Sequence, residues 1–441
     1  MPFLDRHDRE MLALAVPALG TLAADPLVSI VDTIFVGRLG VVPLAALGIN
    51  ASVFSLAFVV FNFLAYGTTP MVSKAVGRGD RRAAGRVVIE AFTIAVLVGA
   101  VALTLLQILA GPIVRLMGAS ATVEGPAVDY LRIRALAGPA VLLVTAGHGA
   151  FRGYHDTRTP LWVTLGLNVV NLVLDPLFIF GFGWGLVGAA WATTTAQWTG
   201  ALAFVWLLLV RRREALGIEP VRPRARDLVP LLKVGGELVV RTLSLIGTMT
   251  LATAVAARVG TVAVAAHQVG SQVWLLLALV IDSIAVSAQA MIARHRGAGE
   301  VATARAVGNR LLGWGLGVGV AIAAVFWLLS PVLPRLFTGD PAAIAAVGTI
   351  LPFVVFMQPL NALVFVWDGV FMGAERFRYL AAQMLASAVV AAGVLLLVVP
   401  MGWGLTGVWW GIVALMAMRA ATLSAAWFGG STLREPAGSS S

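Results

Sequence analysis

The chain has 441 residues, of which 59% are hydrophobic and 12% charged, with mean hydropathy +0.93. A soluble protein carries about 25% charged residues, so this composition reads as a polytopic membrane protein. The net charge of +10 is scattered over short loops with no continuous basic face, which argues against nucleic acid as a partner. The absence of cysteine excludes disulfides and thiolate metal sites.

The amino-terminal MPFLDRHDREM is charged and lacks the apolar core and small-residue cleavage site of a signal peptide. Runs long enough for the ~20-residue crossing of a bilayer follow near 11–36, 44–72, 87–117, 126–151, 159–180 and 186–210. Six more lie near 229–257, 262–292, 303–330, 341–372, 379–400 and 405–429. Twelve spans are therefore expected, in an all-α integral membrane protein. The tail 431–441 (STLREPAGSSS) is expected to be disordered.

Loop charges give an orientation. With the N terminus inside, Arg6, Arg9, Lys74, Arg78, Arg81, Arg82, Arg86, Arg152 and Arg158 all face inward. So do the RRR at 211–213, Arg222, Arg224, Arg226, Arg294, Arg296, Arg376 and Arg378. Outward loops keep Arg38, Arg115, Arg258 and Arg335, with Arg132 and Arg134 nearby. The excess of positive charge places both termini in the cytoplasm.

The halves repeat. A shift of 220 aligns GRLGVVPLAA (37–46) with ARVGTVAVAA (257–266) and Phe151 and Gly153 with Phe371 and Gly373. GWGLVGAAW (183–191) matches GWGLTGVWW (402–410) after one deletion. Six spans is an even number, so the copies are parallel. Residues 1–210 and 229–430 are expected to form two six-helix lobes around a central cavity, joined by a cytoplasmic linker at 211–228. That is an alternating-access plan.

The polar residues are unequally shared. Asn168, Asn171 and Asp175 lie three and four apart on one helical face of an apolar run. The repeat pairs them with Ala388, Ala391 and Leu395, and pairs Asp32 with Ala252. A charge near a helix centre costs about 2.5–3.5 kcal/mol on insertion scales. Hydrogen bonds between spans return about 0.6 kcal/mol on average. A protein-facing ion or proton site is therefore favoured over polar residues that only join helices. In the first span Asp25 and Asp32 share a face two turns apart, and Asp25 has no evident partner in span five. Pro17 and Pro26 remove backbone hydrogen bonds and can bend that span.

The second half carries Glu237 and Arg241 in span seven, Asp282 in span eight and Asp368 in span ten. Arg241 is the one mid-span arginine identified. It needs a carboxylate partner, Asp282 or Asp368, as a structural ion pair, with substrate binding or gating as the alternative. His148 pairs with Asp368 under the repeat and is a candidate proton carrier, against the alternative of a packed core histidine. No zinc-protease, P-loop or dinucleotide motif occurs, so no enzyme, cofactor or tightly bound metal is expected.

ADPLVSIVDTIFVGRLG, NLVLDPLFIFGFGWGLVGAAWAT and FVWDGVFMGAERFRYLAAQ together resemble the multidrug and toxic compound extrusion (MATE) family. The resemblance spans nearly the whole chain and is nearest the DNA-damage-inducible F type. It implies a twelve-helix, two-lobed antiporter exporting organic compounds against Na⁺ or H⁺; a monomer in a bacterial inner membrane is the separate expectation for this chain. The compounds are usually cationic and aromatic, although plant relatives of the branch move organic acids. It also implies that Asp32, Asn171, Asp175 and a span-six Thr193 hold the coupling ion, including Na⁺. His148 stands where described relatives carry Asn, which points to H⁺. The rival reading within the superfamily, a lipid-linked oligosaccharide flippase, would want several arginines inside.

Overall fold

The computed structural model describes residues 5–219, 221–337, 340–430 and 432–433. The tail expected to be disordered lies, apart from Thr432 and Leu433, outside them. Sixteen α-helices and no strand occur among the described residues.

In chain order the first half holds α1 (Arg6–Gly37), α2 (Val41–Val59), α3 (Phe63–Gly77), α4 (Arg81–Leu116), α5 (Ala121–Ala135), α6 (Gly138–Gly153), α7 (Arg158–Pro176) and α8 (Gly185–Trp206). The second half holds α9 (Ala225–Val259), α10 (Thr261–Gly297), α11 (Val301–Leu329), α12 (Leu333–Phe337), α13 (Pro341–Phe356), α14 (Gln358–Gly373), α15 (Phe377–Val398) and α16 (Gly404–Phe428). A 3₁₀ turn, Val60–Asn62, joins α2 to α3 as one span. The pair α13 and α14 bends by 48° and forms another. Its counterpart under the repeat is α5 with α6. There Glu124, Asp129, Arg132 and Arg134 make the first half too polar to read as membrane-crossing on composition. Counting both broken pairs as spans gives twelve, six per repeat.

The repeat holds down to backbone dihedrals. Left-handed residues recur 220 positions apart: Gly40 and Gly260, Gly79 and Gly299, and the non-glycines His155 (φ 61°) and Glu375 (φ 55°). Close approaches recur as well. A Cβ on Gly149 would lie 2.9 Å from the Ala65 carbonyl oxygen, and one on Gly369 would lie 2.3 Å from that of Ala285. Between membrane helices van der Waals packing replaces the hydrophobic drive, so small residues at such crossings let the backbones meet.

Two compact units result, residues 16–235 and residues 1–15 with 236–441. Both boundaries fall inside helices, α1 and α9. In the unit of 236–441 the first turns of α1 are tied down by charge. Arg310 grips Asp8 through two bonds of 2.5 and 2.6 Å, Trp314 donates to the same carboxylate at 2.8 Å, and Arg294 bonds Glu10 at 2.8 Å. Pro17 and Pro26 do not break α1, which runs as one helix through both.

Candidate functional site

The unit of 16–235 encloses a cavity of about 370 Å³ lined from α1, α2, α5, α7 and α8. Local sequence positions its polar walls. Along α7 the three-and-four spacing holds, so Asn168 and Asn171 face the cavity while Asp175 lies one turn deeper, 1% exposed. Pro176 closes the regular helix, and a π-helical turn at Leu177–Gly181 follows directly. Single π turns of this kind gather at functional positions. Asn50 of α2 ties the wall to α5, donating to the carbonyls of Ala46 at 2.8 Å and Ala127 at 3.0 Å.

Five of the six residues expected at this site come together. Asn171 Nδ2 donates to Thr193 Oγ1 at 3.3 Å, and Thr193 donates to the Ala189 carbonyl at 2.9 Å. The carboxyl groups of Asp32 and Asp175 face each other within hydrogen-bonding reach, and Asn171 lies beside Asp175. Asp25, expected to have no partner in span five, has one: Asn168 Nδ2 donates to its Oδ1 at 3.3 Å. The two lie on different helices, so their adjacency is invisible to spacing along either.

Four buried acceptor oxygens of the cluster have no donor: Asp32 Oδ1, Asn171 Oδ1 and both oxygens of Asp175. Buried polar atoms without partners are costly, and a cation or a proton is what such a set lacks. Two further residues of α5 line the same cavity: Tyr130, which the sequence reading does not single out, and Arg134, which it places near an outward loop. Their signal was the i,i+4 pair in a span whose other charges look like loop.

His148 is not brought to this cluster. Its Nε2 pairs with Thr164 Oγ1 at 3.1 Å, and its ring meets Phe204 edge-on at 5.3 Å between centroids. Thr164 is one turn before Asn168 on α7, so the imidazole is off the cavity wall. At the corner between α6 and α7, burial pushes the Asp156 carboxyl up. Bonds from the Thr159 hydroxyl and backbone and from Arg212 more than offset this and hold it below the usual range.

The second unit is built differently. Ala391 and Leu245, the repeat counterparts of Asn171 and Asp25, pack with Met384, Leu415 and Met249 in a dry cluster. Its charges gather elsewhere. Arg241 Nη2 donates to Asp368 Oδ2 at 2.5 Å, and Arg419 Nη2 donates to the same oxygen. Arg419, in α16, is 0% exposed and also feels the charge of Asp282. The expectation of a single mid-span arginine is therefore wrong. Arg419 sits among small residues in the last span, and its repeat counterpart is Gly200, so the first half offered no echo.

The family model described as MatE matches residues 17–177 and 238–397. Protein DETOXIFICATION 44, chloroplastic, of Arabidopsis thaliana is 34% identical over 438 residues, 95% of this chain and 82% of that protein. DNA damage-inducible protein F of Escherichia coli (strain K12) is 27% identical over 444 residues, 97% of this chain and 93% of that protein. A crystal structure of MATE in the bent conformation superposes with a TM-score of 0.89 at 21% identity, covering 97% of this chain and 95% of that one.

Proposed function

From the premise that the chain belongs to the MatE family of multidrug and toxic compound transporters, we propose that it is a proton-coupled antiporter exporting organic cations by alternating access. The observation that carries this reading is the donorless set of Asp32, Asn171 and Asp175 oxygens in the first unit's cavity. One proton shared between facing carboxyls closes a hydrogen bond that two carboxylates cannot make. Loss of that proton leaves negative charge beside the cavity, which attracts a cationic compound. Proton and substrate thus compete for one pair of carboxylates, which is what exchange requires. Na⁺ is the other cation that these oxygens and Thr193 Oγ1 can accept.

A second reading, export of organic anions, is favoured by Arg241 and Arg419 sharing Asp368 in the other unit. The same pair removes the shortage of arginines that counted against a lipid flippase. Both termini are proposed to be cytoplasmic, from the loop charges, in a bacterial inner membrane. Proteoliposomes loaded with ethidium or with a tricarboxylate test the choice. Release of ethidium on imposing a pH gradient in Na⁺-free buffer is expected, and release of the tricarboxylate alone refutes the cation reading.

A further inference from the structure

The first unit's cavity contains a positive charge of its own. Among the described residues lining it, Arg134 is the basic one, and the others that carry or can take charge are Asp25, Asp32 and Tyr130. Asp175 lies just behind, while α2 and α8 contribute uncharged side chains such as Asn50, Phe54, Thr193 and Gln197. Arg134 Cζ stands 4.8 Å from the centre of the Phe54 ring, a cation–π perch. Its Nη1 is buried and has no hydrogen-bond partner. The guanidinium is near enough to both Asp32 and Asp175 to act on each electrostatically.

Charge balance gives the arrangement its meaning. Asp32 and Asp175 with one shared proton carry a single negative charge, which Arg134 cancels. Asp25 stands apart, held by the Asn168 amide. Once the proton leaves, the pair and Arg134 together carry one negative charge, enough for one monovalent cationic substrate. A Na⁺ bound in addition would sit against a guanidinium that cannot shed its charge. Without Arg134 the deprotonated pair would be doubly negative, ringed by the donorless oxygens that a hard cation seeks.

We propose that Arg134 is the specificity-determining residue for the coupling ion: a tethered cation that takes the electrostatic place of Na⁺ and confines exchange to protons. Phe54 holds the guanidinium when the carboxyls carry their proton, and the carboxylates draw it when they do not. Arg134 touches neither the proton nor the substrate in this role; it acts through Asp32 and Asp175. The inference rests on the proton-antiport reading above and adds what excludes the other ion.

The test uses the full chain in detergent and in proteoliposomes, with radiosodium binding and ethidium flux as readouts. Wild type is expected to bind no radiosodium above background and to move ethidium on a pH gradient alone. Arg134→Gln should bind radiosodium at least about tenfold above wild type, as expected for removing a like charge that acts on the same two carboxylates. That binding should vanish in Arg134→Gln/Asp32→Asn, and a Na⁺ gradient should drive flux in the single variant. Arg134→Lys, which keeps the charge, should stay blind to Na⁺, a distinction that a merely structural arginine would not make. Arg134→Ala repeats the experiment should the glutamine variant not fold. A folded, charge-neutral variant that ignores Na⁺, or a wild type that binds Na⁺ through Asp32, overturns the proposal. A wild type indifferent to the pH gradient instead overturns the proton reading, whatever the variants do.

Discussion

Asp368→Asn is expected to be the most damaging single substitution in the second unit. The carboxylate is 3% exposed, Arg419 0% and Arg241 8%, so the change leaves two buried guanidiniums around an amide that neutralises neither. Removing one partner of a buried pair costs about 3–5 kcal/mol, because the remaining charge stays desolvated. Asp282 offsets part of this for Arg419, on which it already acts. Arg419→Met is milder, about 1–3 kcal/mol, because Asp368 keeps its 2.5 Å bond from Arg241. The double variant should recover part of the loss, since one stranded charge goes with the carboxylate. For a unit of this size each kcal/mol moves Tm by roughly 2–4 °C, so Asp368→Asn should fall by roughly 6–20 °C. Thermal unfolding in detergent micelles, with size-exclusion profiles as a check on folding, measures all three variants. An Asp368→Asn protein as stable as wild type, or less harmed than Arg419→Met, would refute the buried triad.

Asp32→Asn should abolish ethidium export while the protein still inserts and elutes normally, whereas Asp25→Asn should keep measurable flux because Asn168 continues to shape that wall; gradient-driven export at the wild-type rate in Asp32→Asn would remove it from the mechanism. His148→Asn should lose about 1 kcal/mol with the Thr164 bond yet keep its pH-gradient drive. A switch to Na⁺ dependence in that variant would return the histidine to the site. Cysteines at Ser120 and Glu214, both exposed, should label from opposite faces of the membrane. Labelling of both from one face contradicts the twelve-span topology.

The spans and the repeat were legible because apolar length and a constant 220-residue offset are properties of the chain itself. Asp32, Asn171 and Asp175 were legible for the same reason: helical periodicity puts polar groups on one face, and the second repeat lacks them. What stayed hidden depends on how helices rotate and meet. The bond from Asn168 to Asp25 joins two helices 143 positions apart. His148 packs against Thr164 and Phe204 and is not among the residues lining the cavity. Arg134 was read as a charge near an outward loop because α5 is polar enough to resemble one. The structure folds it back over Phe54 into the cavity. Arg419 lies among alanines and methionines whose packing gives no warning of a carboxylate 51 positions upstream.

The most direct measurement of the central claim, that Asp32 and Asp175 exchange a proton for a cationic substrate, is proton release on substrate binding. Ethidium is added to the purified protein in weakly buffered, Na⁺-free detergent solution while a pH dye is followed. Wild type should release about one proton for each ethidium bound, as a pair sharing one proton requires, and Asp32→Asn/Asp175→Asn should release none. Ethidium binding that releases no proton from wild type, or that takes place only when Na⁺ is present, would contradict the account.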